Sequence, residues 1–183
     1  MEIRAATDGD FDAMWAIFKA AIATEDALPF AGTFEVGTFR SHWFGVQPAF
    51  VAVLEGRVAG MYKMGANYPD LGAHVASATY VVDPRVQGRG IGRALVEHSL
   101  DRARSEGFLA MQFNYVVSTN APAVELYRKL GFAVVGTLPA AFRHPALGLV
   151  DVYVMHRFLQ DQVGQGRPAR AARILGDSIA EDL

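Results

Sequence analysis

Residues 85–93 read Arg-Val-Gln-Gly-Arg-Gly-Ile-Gly-Arg, so Gly88, Gly90 and Gly92 alternate and Arg85, Arg89 and Arg93 are interleaved with them. Glycine accepts positive φ and lets backbone come close to a ligand. Placed just before a helix, such a turn presents N–H groups that have no intrahelical partner, at the positive end of the helix dipole. That makes an anion site suited to a phosphate or pyrophosphate, and the arginines would add positive charge. The alternative is a tight turn that uses glycine for geometry alone. The dinucleotide fingerprint G-x-G-x-x-G fails, because Leu95 stands where a glycine would follow Gly90 and Gly92, and Arg93 where one would follow Gly88 and Gly90. The P-loop pattern G-x-x-x-x-G-K-[ST] is absent as well.

The flanking residues supply the elements such a site needs. An apolar, β-branched run ending at Val82 reads as a strand, and Pro84, which has no N–H for a ladder, ends it. After the glycines, Ile91, Leu95, Val96, Ser99 and Ala103 recur at helical spacing, with Arg93, Glu97, Asp101 and Arg104 opposite. A second helix is announced further on. Asn120 suits its N-cap, Pro122 its first turn and Gly131 its end. Tyr127 lies on that helix; taken alone it reads as a core residue with a wet hydroxyl.

Two motifs together carry a resemblance. Gln87-Gly88-Arg89-Gly90-Ile91-Gly92 resembles the Q/R-x-x-G-x-G/A signature of the GCN5-related N-acetyltransferases (GNAT), whose turn holds the pyrophosphate of acetyl-CoA. Residues 120–132, Asn-Ala-Pro-Ala-Val-Glu-Leu-Tyr-Arg-Lys-Leu-Gly-Phe, are similar to that family's N-x-x-A-x-x-L-Y-x-K-x-G-F motif. The resemblance covers roughly residues 75–132 and is less sharp over the first 70. It implies an α/β (α+β) fold: a mixed, mostly antiparallel sheet of six to seven strands with a splayed parallel pair, flanked by about four helices. It also implies an acetyl-CoA-dependent N-acetyltransferase working by direct attack in a ternary complex. Backbone of Tyr80, Val81 and Val82 would hold the pantetheine arm. Gln87, Gly88, Arg89, Gly90, Ile91, Gly92 and Arg93 would hold the pyrophosphate, and Asn120 would touch the arm. Tyr127 would be the general acid facing the sulfur, and the N–H of Val81 or Val82 would polarise the thioester carbonyl.

A general base is harder to find. Strands four and five offer Thr79, Tyr80, Asn114 and Tyr115 but no carboxylate. His74 is the one group there that titrates near neutrality; its alternative is a surface or satisfied core histidine. The stretch Phe113-Asn114-Tyr115-Val116-Val117-Ser118-Thr119-Asn120 is similar to acetyltransferases of small amino acids and proline analogues, which would make Asn114 a contact for a substrate carboxylate. Its alternative is a bond to neighbouring backbone. Glu25 and Asp26, in the loop after the first helix, are candidates to meet a cationic amine, or are a solvated loop tip. Arg143, read as lying in a loop before the last strand, could pair with a carboxylate. The favoured acceptor is a small amine, an amino acid or its analogue. The alternatives are a protein or peptide amine, or a CoA-binding sensor without catalysis.

The remaining pattern agrees with one domain. Phe11, Met14, Trp15, Phe18 and Ile22 form an amphipathic helical stripe. Residues 49–54 and 58–64 read as a hairpin, and 133–135 and 150–158 as the last strands. Residues 1–160 are expected to form the acetyltransferase domain. Residues 161–183 then read as a tail, with a weak helical stripe from Ala171 to Ile179. The chain has 183 residues, 51% hydrophobic and 20% charged, with net charge −2. That excludes a strongly basic nucleic-acid binder. No apolar run reaches about 18 residues, so no membrane span is expected, and the N-terminus lacks a signal-peptide h-region. A cytoplasmic enzyme is the resulting expectation. Without cysteine there is no disulfide, thiolate metal site or cysteine nucleophile, and no metal is expected. Family members are often dimers, so a homodimer is among the implied partners.

Overall fold

Met14, Ile17, Phe18 and Ile22 fall on one face at helical spacing and are all buried, which forms α1 (Phe11–Ile22). The computed structural model describes residues 1–160; the tail and its helical stripe lie outside them. Before α1 comes β1 (Glu2–Ala5). Asp10 fixes the corner between the two. Its carboxylate accepts two N–H groups from the Arg4 guanidinium at 2.8 Å each, together with the Thr7 N–H at 2.8 Å. Asp10 is itself buried, and the Arg4 guanidinium holds its carboxyl well below the usual carboxylate range.

The other elements follow the apolar periodicity closely. They are α2 (Val36–Trp43), β2 (Ala49–Leu54), β3 (Arg57–Ala66), β4 (Val75–Val82), α3 (Ile91–Ser105), β5 (Ala110–Val117), α4 (Ala121–Lys129), β6 (Ala133–His144) and β7 (Gly148–Phe158). One seven-stranded sheet has the order β1-β2-β3-β4-β5-β7-β6. All its neighbours are antiparallel except β4 and β5. The mixed sheet with one parallel pair, and four α-helices among the described residues, is the expected architecture.

The sheet separates two cores. On one face, α3 and α4 cover Tyr62, Met64, Ala76, Met111, Phe113 and Met155. On the other, α1 and α2 pack Phe18, Phe39 and Trp43 over Val51, Met61 and Val81. Side chains alternate faces along a strand, so β4 contributes Ala76, Tyr80 and Val82 to the first core and Val81 to the second. Helix α3 lies close to β3 because Gly60 has no side chain. A Cβ there would stand 3.0 Å from Ile91 Cγ2 and 3.1 Å from Leu95 Cδ1.

One expected boundary was too short. β6 continues to His144, so Arg143 lies in a strand opposite Leu149 rather than in a loop. Gly136 and Pro139 look like strand breakers, but β6 is the sheet's edge, where a missing N–H costs no ladder bond. The register with β7 slips at both places.

Candidate active site

The parallel pair is joined at one end only. β4 meets β5 through Val75 opposite Ala110 and Ala76 opposite Met111, and no further. The two strands then diverge. Which backbone groups face the gap follows from the pairing of β4 with β3. Asp83 donates its N–H to the Ala59 carbonyl at 3.0 Å, and Asn67 donates to the Val75 carbonyl at 2.8 Å. Both bonds fit one uninterrupted antiparallel register. Bonding alternates along such a strand, so Ser77, Thr79 and Val81 direct their N–H and carbonyl groups to β3. Ala78, Tyr80 and Val82 direct theirs into the gap. Of the expected backbone contacts, Tyr80 and Val82 therefore face the gap, whereas Val81 is committed to β3 by the register and buries its side chain against α1.

The glycine turn sits at the open end of the gap. Gly88 and Gly90 have φ of 77° and 78°, and a Cβ at either would meet nothing within 4 Å. The space over the turn is open, and the glycines are there for conformation. Gly90 is the N-cap of α3, and no side chain caps it. The first helical bond runs from the Ala94 N–H to the Gly90 carbonyl, so Ile91, Gly92 and Arg93 have N–H groups without an intrahelical acceptor. The Ile91 side chain is buried and anchors that end.

The arginines behave differently from the sequence expectation, because each already has a carboxylate. Arg85 grips Asp83 through Nη2 at 2.8 Å, Arg89 meets Glu55 at 2.6 Å, and Arg93 meets Glu97 at 2.9 Å. Asp83 is buried, accepts the Arg85 N–H at 3.0 Å and caps the short turn that enters the glycines. The backbone N–H groups of Ile91, Gly92 and Arg93 are therefore the donors at the turn that no acceptor of the helix already engages.

Tyr127 packs its ring on Phe113, with centroids 4.6 Å apart, and on Phe132 and Tyr80. Its hydroxyl forms no hydrogen bond among the described residues, and burial pushes it up to about 12. Asn120 caps α4 by accepting the Ala123 N–H at 3.3 Å. The Tyr80 side chain points away from the gap into the α3 core, where its hydroxyl lies 2.6 Å from Ser99 Oγ.

On the opposite face, between α2 and β4, lies a cleft of about 200 Å³ lined by His42, Gln47, Lys63, Asn67, Ser77 and Thr79. Ala78, whose backbone faces the gap, also borders it. Burial pushes the His42 imidazole down, and the nearby Lys63 cation adds to the effect. Asn114 reaches the rim: its Nδ2 donates to Asn67 Oδ1 at 2.6 Å, and its Oδ1 accepts from Gln112 Nε2 at 2.7 Å. A bulge in β5 at Asn114 and Tyr115 turns these residues out of the β7 ladder.

Comparison with known proteins decides the family. Residues 19–132 match the model of the acetyltransferase (GNAT) family. The chain belongs to that family. A GCN5-related N-acetyltransferase from Kribbella flavida superposes with TM-score 0.83 at 41% identity, covering 86% of this chain and 96% of that one. The yncA protein of Salmonella typhimurium, solved with its cofactor acetyl-CoA, gives TM-score 0.74 at 25% identity, covering 91% and 98%. Mycothiol acetyltransferase of Saccharomonospora viridis is 40% identical over an alignment of 104 residues that covers 54% of this chain and 34% of that protein. The chain thus spans about a third of that relative's length.

Within this GNAT fold the sequence-picked residues separate into two groups. Tyr80, Val82, Gln87, Gly88, Arg89, Gly90, Ile91, Gly92, Arg93, Asn120 and Tyr127 cluster about the gap and the turn; Asn114 borders the cleft. The others lie elsewhere. His74 is exposed at the closed end of the gap, just before β4, roughly 25 Å from Val82 at about 3.3 Å per residue. Glu25 and Asp26 are exposed in the loop after α1, where Asp26 accepts the Thr24 hydroxyl at 2.6 Å. Arg143 is exposed on edge strand β6. None of these four lines the cleft. The cleft residues His42 and Lys63 escaped the sequence reading. Lys63 did leave a signal: it interrupts the apolar run of β3 on the same face as the fully buried Met61.

Proposed function

We propose that this chain transfers the acetyl group of acetyl-CoA to the amine of a small molecule, an amino acid or its analogue being favoured. Acetyl-CoA supplies the activated acetyl group as a thioester. The observation that carries the reading is the gap itself: among the described residues, β4 leaves the backbone of Ala78, Tyr80 and Val82 unpaired beside a helix N-terminus without a side-chain cap and a phenol without a partner.

The residues present fit such a ligand. Unpaired backbone on β4 can bond an extended amide-bearing arm as an added strand would. The N–H groups at the start of α3 suit a pyrophosphate, and open space over Gly88 and Gly90 allows it to approach. Arg89 and Arg93 hold their carboxylates in exposed pairs, which are weak and readily exchanged. The N–H of Tyr80 or Val82 is placed to stabilise negative charge developing in the gap. Tyr127, kept protonated by burial, can deliver a proton at its hydroxyl oxygen. An amine enters from the α2 side, where the cleft borders Ala78.

Thiol release from acetyl-CoA, followed with a thiol-reactive dye across a panel of amines, tests the reading. The protein has no cysteine to add background. The panel spans proline analogues, neutral and acidic amino acids, polyamines, aminoglycosides and short peptides. Release that depends on a small acceptor is expected. Release with peptides alone would move the acceptor to protein amines. Silence throughout, with acetyl-CoA still bound, would select a sensor.

A further inference from the structure

We infer that the cleft over β4 reads an anionic group on the acceptor, with Lys63 as its anchor, so that the acceptor is an amine carrying a carboxylate. The inference rests on the transferase reading above. Lys63 stands opposite Thr79 in the β3–β4 register and shares a face with Met61. Its ammonium is half-buried and donates to the His42 carbonyl at 3.1 Å. No carboxylate pairs with it among the described residues. Arg4, Arg85, Arg89, Arg93, Arg104 and Lys129 each meet an Asp or Glu within 2.9 Å, and Lys19, Arg57, Arg128 and Arg143, which meet none among the described residues, are exposed to water, as Lys63 is not.

A cation withdrawn from water without a counter-charge is costly, and the same burial pushes the Lys63 ammonium down. A carboxylate entering the cleft would supply the missing charge. The other walls are built to help it. Gln47 and Asn67 offer amide N–H groups, Ser77 and Thr79 offer hydroxyls, and among the described residues no Asp or Glu lines the cleft. An ionised carboxylate accepts at about four lone-pair sites and needs such donors. Gly65 leaves room for the Gln47 side chain: a Cβ there would stand 2.6 Å from Gln47 Nε2. Since Ala78 belongs both to the cleft border and to the gap, an acceptor anchored at Lys63 can place its amine toward the gap. Polyamines and aminoglycosides bring several positive charges and no anion, so Lys63 repels them.

Matched pairs test this: each amino acid against its own amide, with thiol release as readout, in wild type, Lys63→Gln and Lys63→Met. Wild type is expected to prefer the acid by about 10-fold or more in kcat/KM, the scale of one charged hydrogen bond lost. Both variants should lower the acid toward its amide through KM while kcat holds. Lys63→Met replaces a half-buried cation with an uncharged side chain of similar reach and touches neither the gap nor the glycine turn, so it should fold and bind acetyl-CoA as wild type does. Amides used as well as acids, or a preference that survives both variants, would overturn the anchor. A second measurement needs no turnover: N-acetyl amino acids titrated into the CoA complex should bind wild type and bind Lys63→Gln at least 10-fold more weakly. If none binds wild type, the anchor falls, while thiol release with uncharged amines would leave the transferase standing. Failure of both assays would remove both readings together.

Discussion

At the scale of single residues, the chemistry turns on a proton and on backbone shape. On the proposed reading Tyr127 supplies the proton. Its hydroxyl has no partner among the described residues, and burial holds it up to about 12. A general acid works while protonated, so its contribution is present below that value and is lost only as pH rises through it. Tyr127→Phe should therefore cut transfer by about 100-fold at every pH from 6 to 10. Acetyl-CoA affinity should hardly change, and stability should not fall, because no hydrogen bond is removed. A pH–rate profile of both proteins decides it; a wild-type rate in Tyr127→Phe would end the role. The glycines divide by shape. Gly90 has a φ of 78°, which a β-branched residue resists. Gly92 has ordinary backbone, and a methyl there would stand 3.7 Å from Val82 Cγ2 and 3.8 Å from Leu126 Cδ2, which is normal contact. Calorimetric titration with acetyl-CoA should show binding abolished in Gly90→Val and kept within a few-fold in Gly92→Ala. Equal losses would mean that conformation is not what Gly90 provides. The glycine spacing made this turn legible in the sequence. The carboxylate partners of Arg85 and Arg89 were not legible, because the turn and the hairpin bring Asp83 and Glu55 to them, which charge spacing alone does not reveal.

At the scale of elements, the position of α3 matters most, since its N-terminus, uncapped by any side chain, is where the proposed pyrophosphate would bind. Gly60 sets that position. A Cβ at 3.0 and 3.1 Å from Ile91 and Leu95 already requires them to yield, and a branched side chain requires more. Gly60→Val should destabilise the fold by about 1–3 kcal/mol, the usual range for overpacking. It should also weaken acetyl-CoA binding by displacing the first turn of α3, although it touches no ligand. Denaturant midpoints and titration measured on one preparation test both effects; weaker binding with unchanged stability would argue against packing as the cause. Elements were legible where one period ran without interruption, as in α1, α3 and β5. β6 was not, because an edge strand tolerates Gly136 and Pro139 and alternates poorly when one side faces water. The bulge that turns Asn114 out of the ladder is likewise set by its pairing with β7.

At the scale of the whole molecule, the sheet keeps two jobs apart. The α3 and α4 face holds the turn and Tyr127, the α1 and α2 face holds the cleft, and the unpaired stretch of β4 is where they meet. The first half of this division was legible, because helix and turn signals lie within one continuous stretch of chain. The second half was not: His42, Lys63 and Thr79 come from three elements, and only tertiary packing brings them together. The face with the cleft depends on α1 being fastened to β1, and that corner rests on Asp10. Its buried carboxylate accepts from Arg4 and Thr7 and is held well below the usual range. A group with a lowered folded pKa stabilises above its unfolded value, about 3.9, and loses that contribution as pH falls through the folded one. Asp83, lowered by Arg85, follows the same sign. Stability should therefore drop between about pH 5 and the acid limit, where the unfolded chain binds more protons. Asp10→Ala should cost about 2 kcal/mol at pH 7, the worth of hydrogen bonds to a charged group, and should flatten the acid slope by Asp10's share while Asp83 keeps its own. Unfolding midpoints of both proteins at pH 7 and pH 3 provide the test. If the two curves run parallel across the acid range, Asp10 is not the group that fastens the α1 face to the sheet.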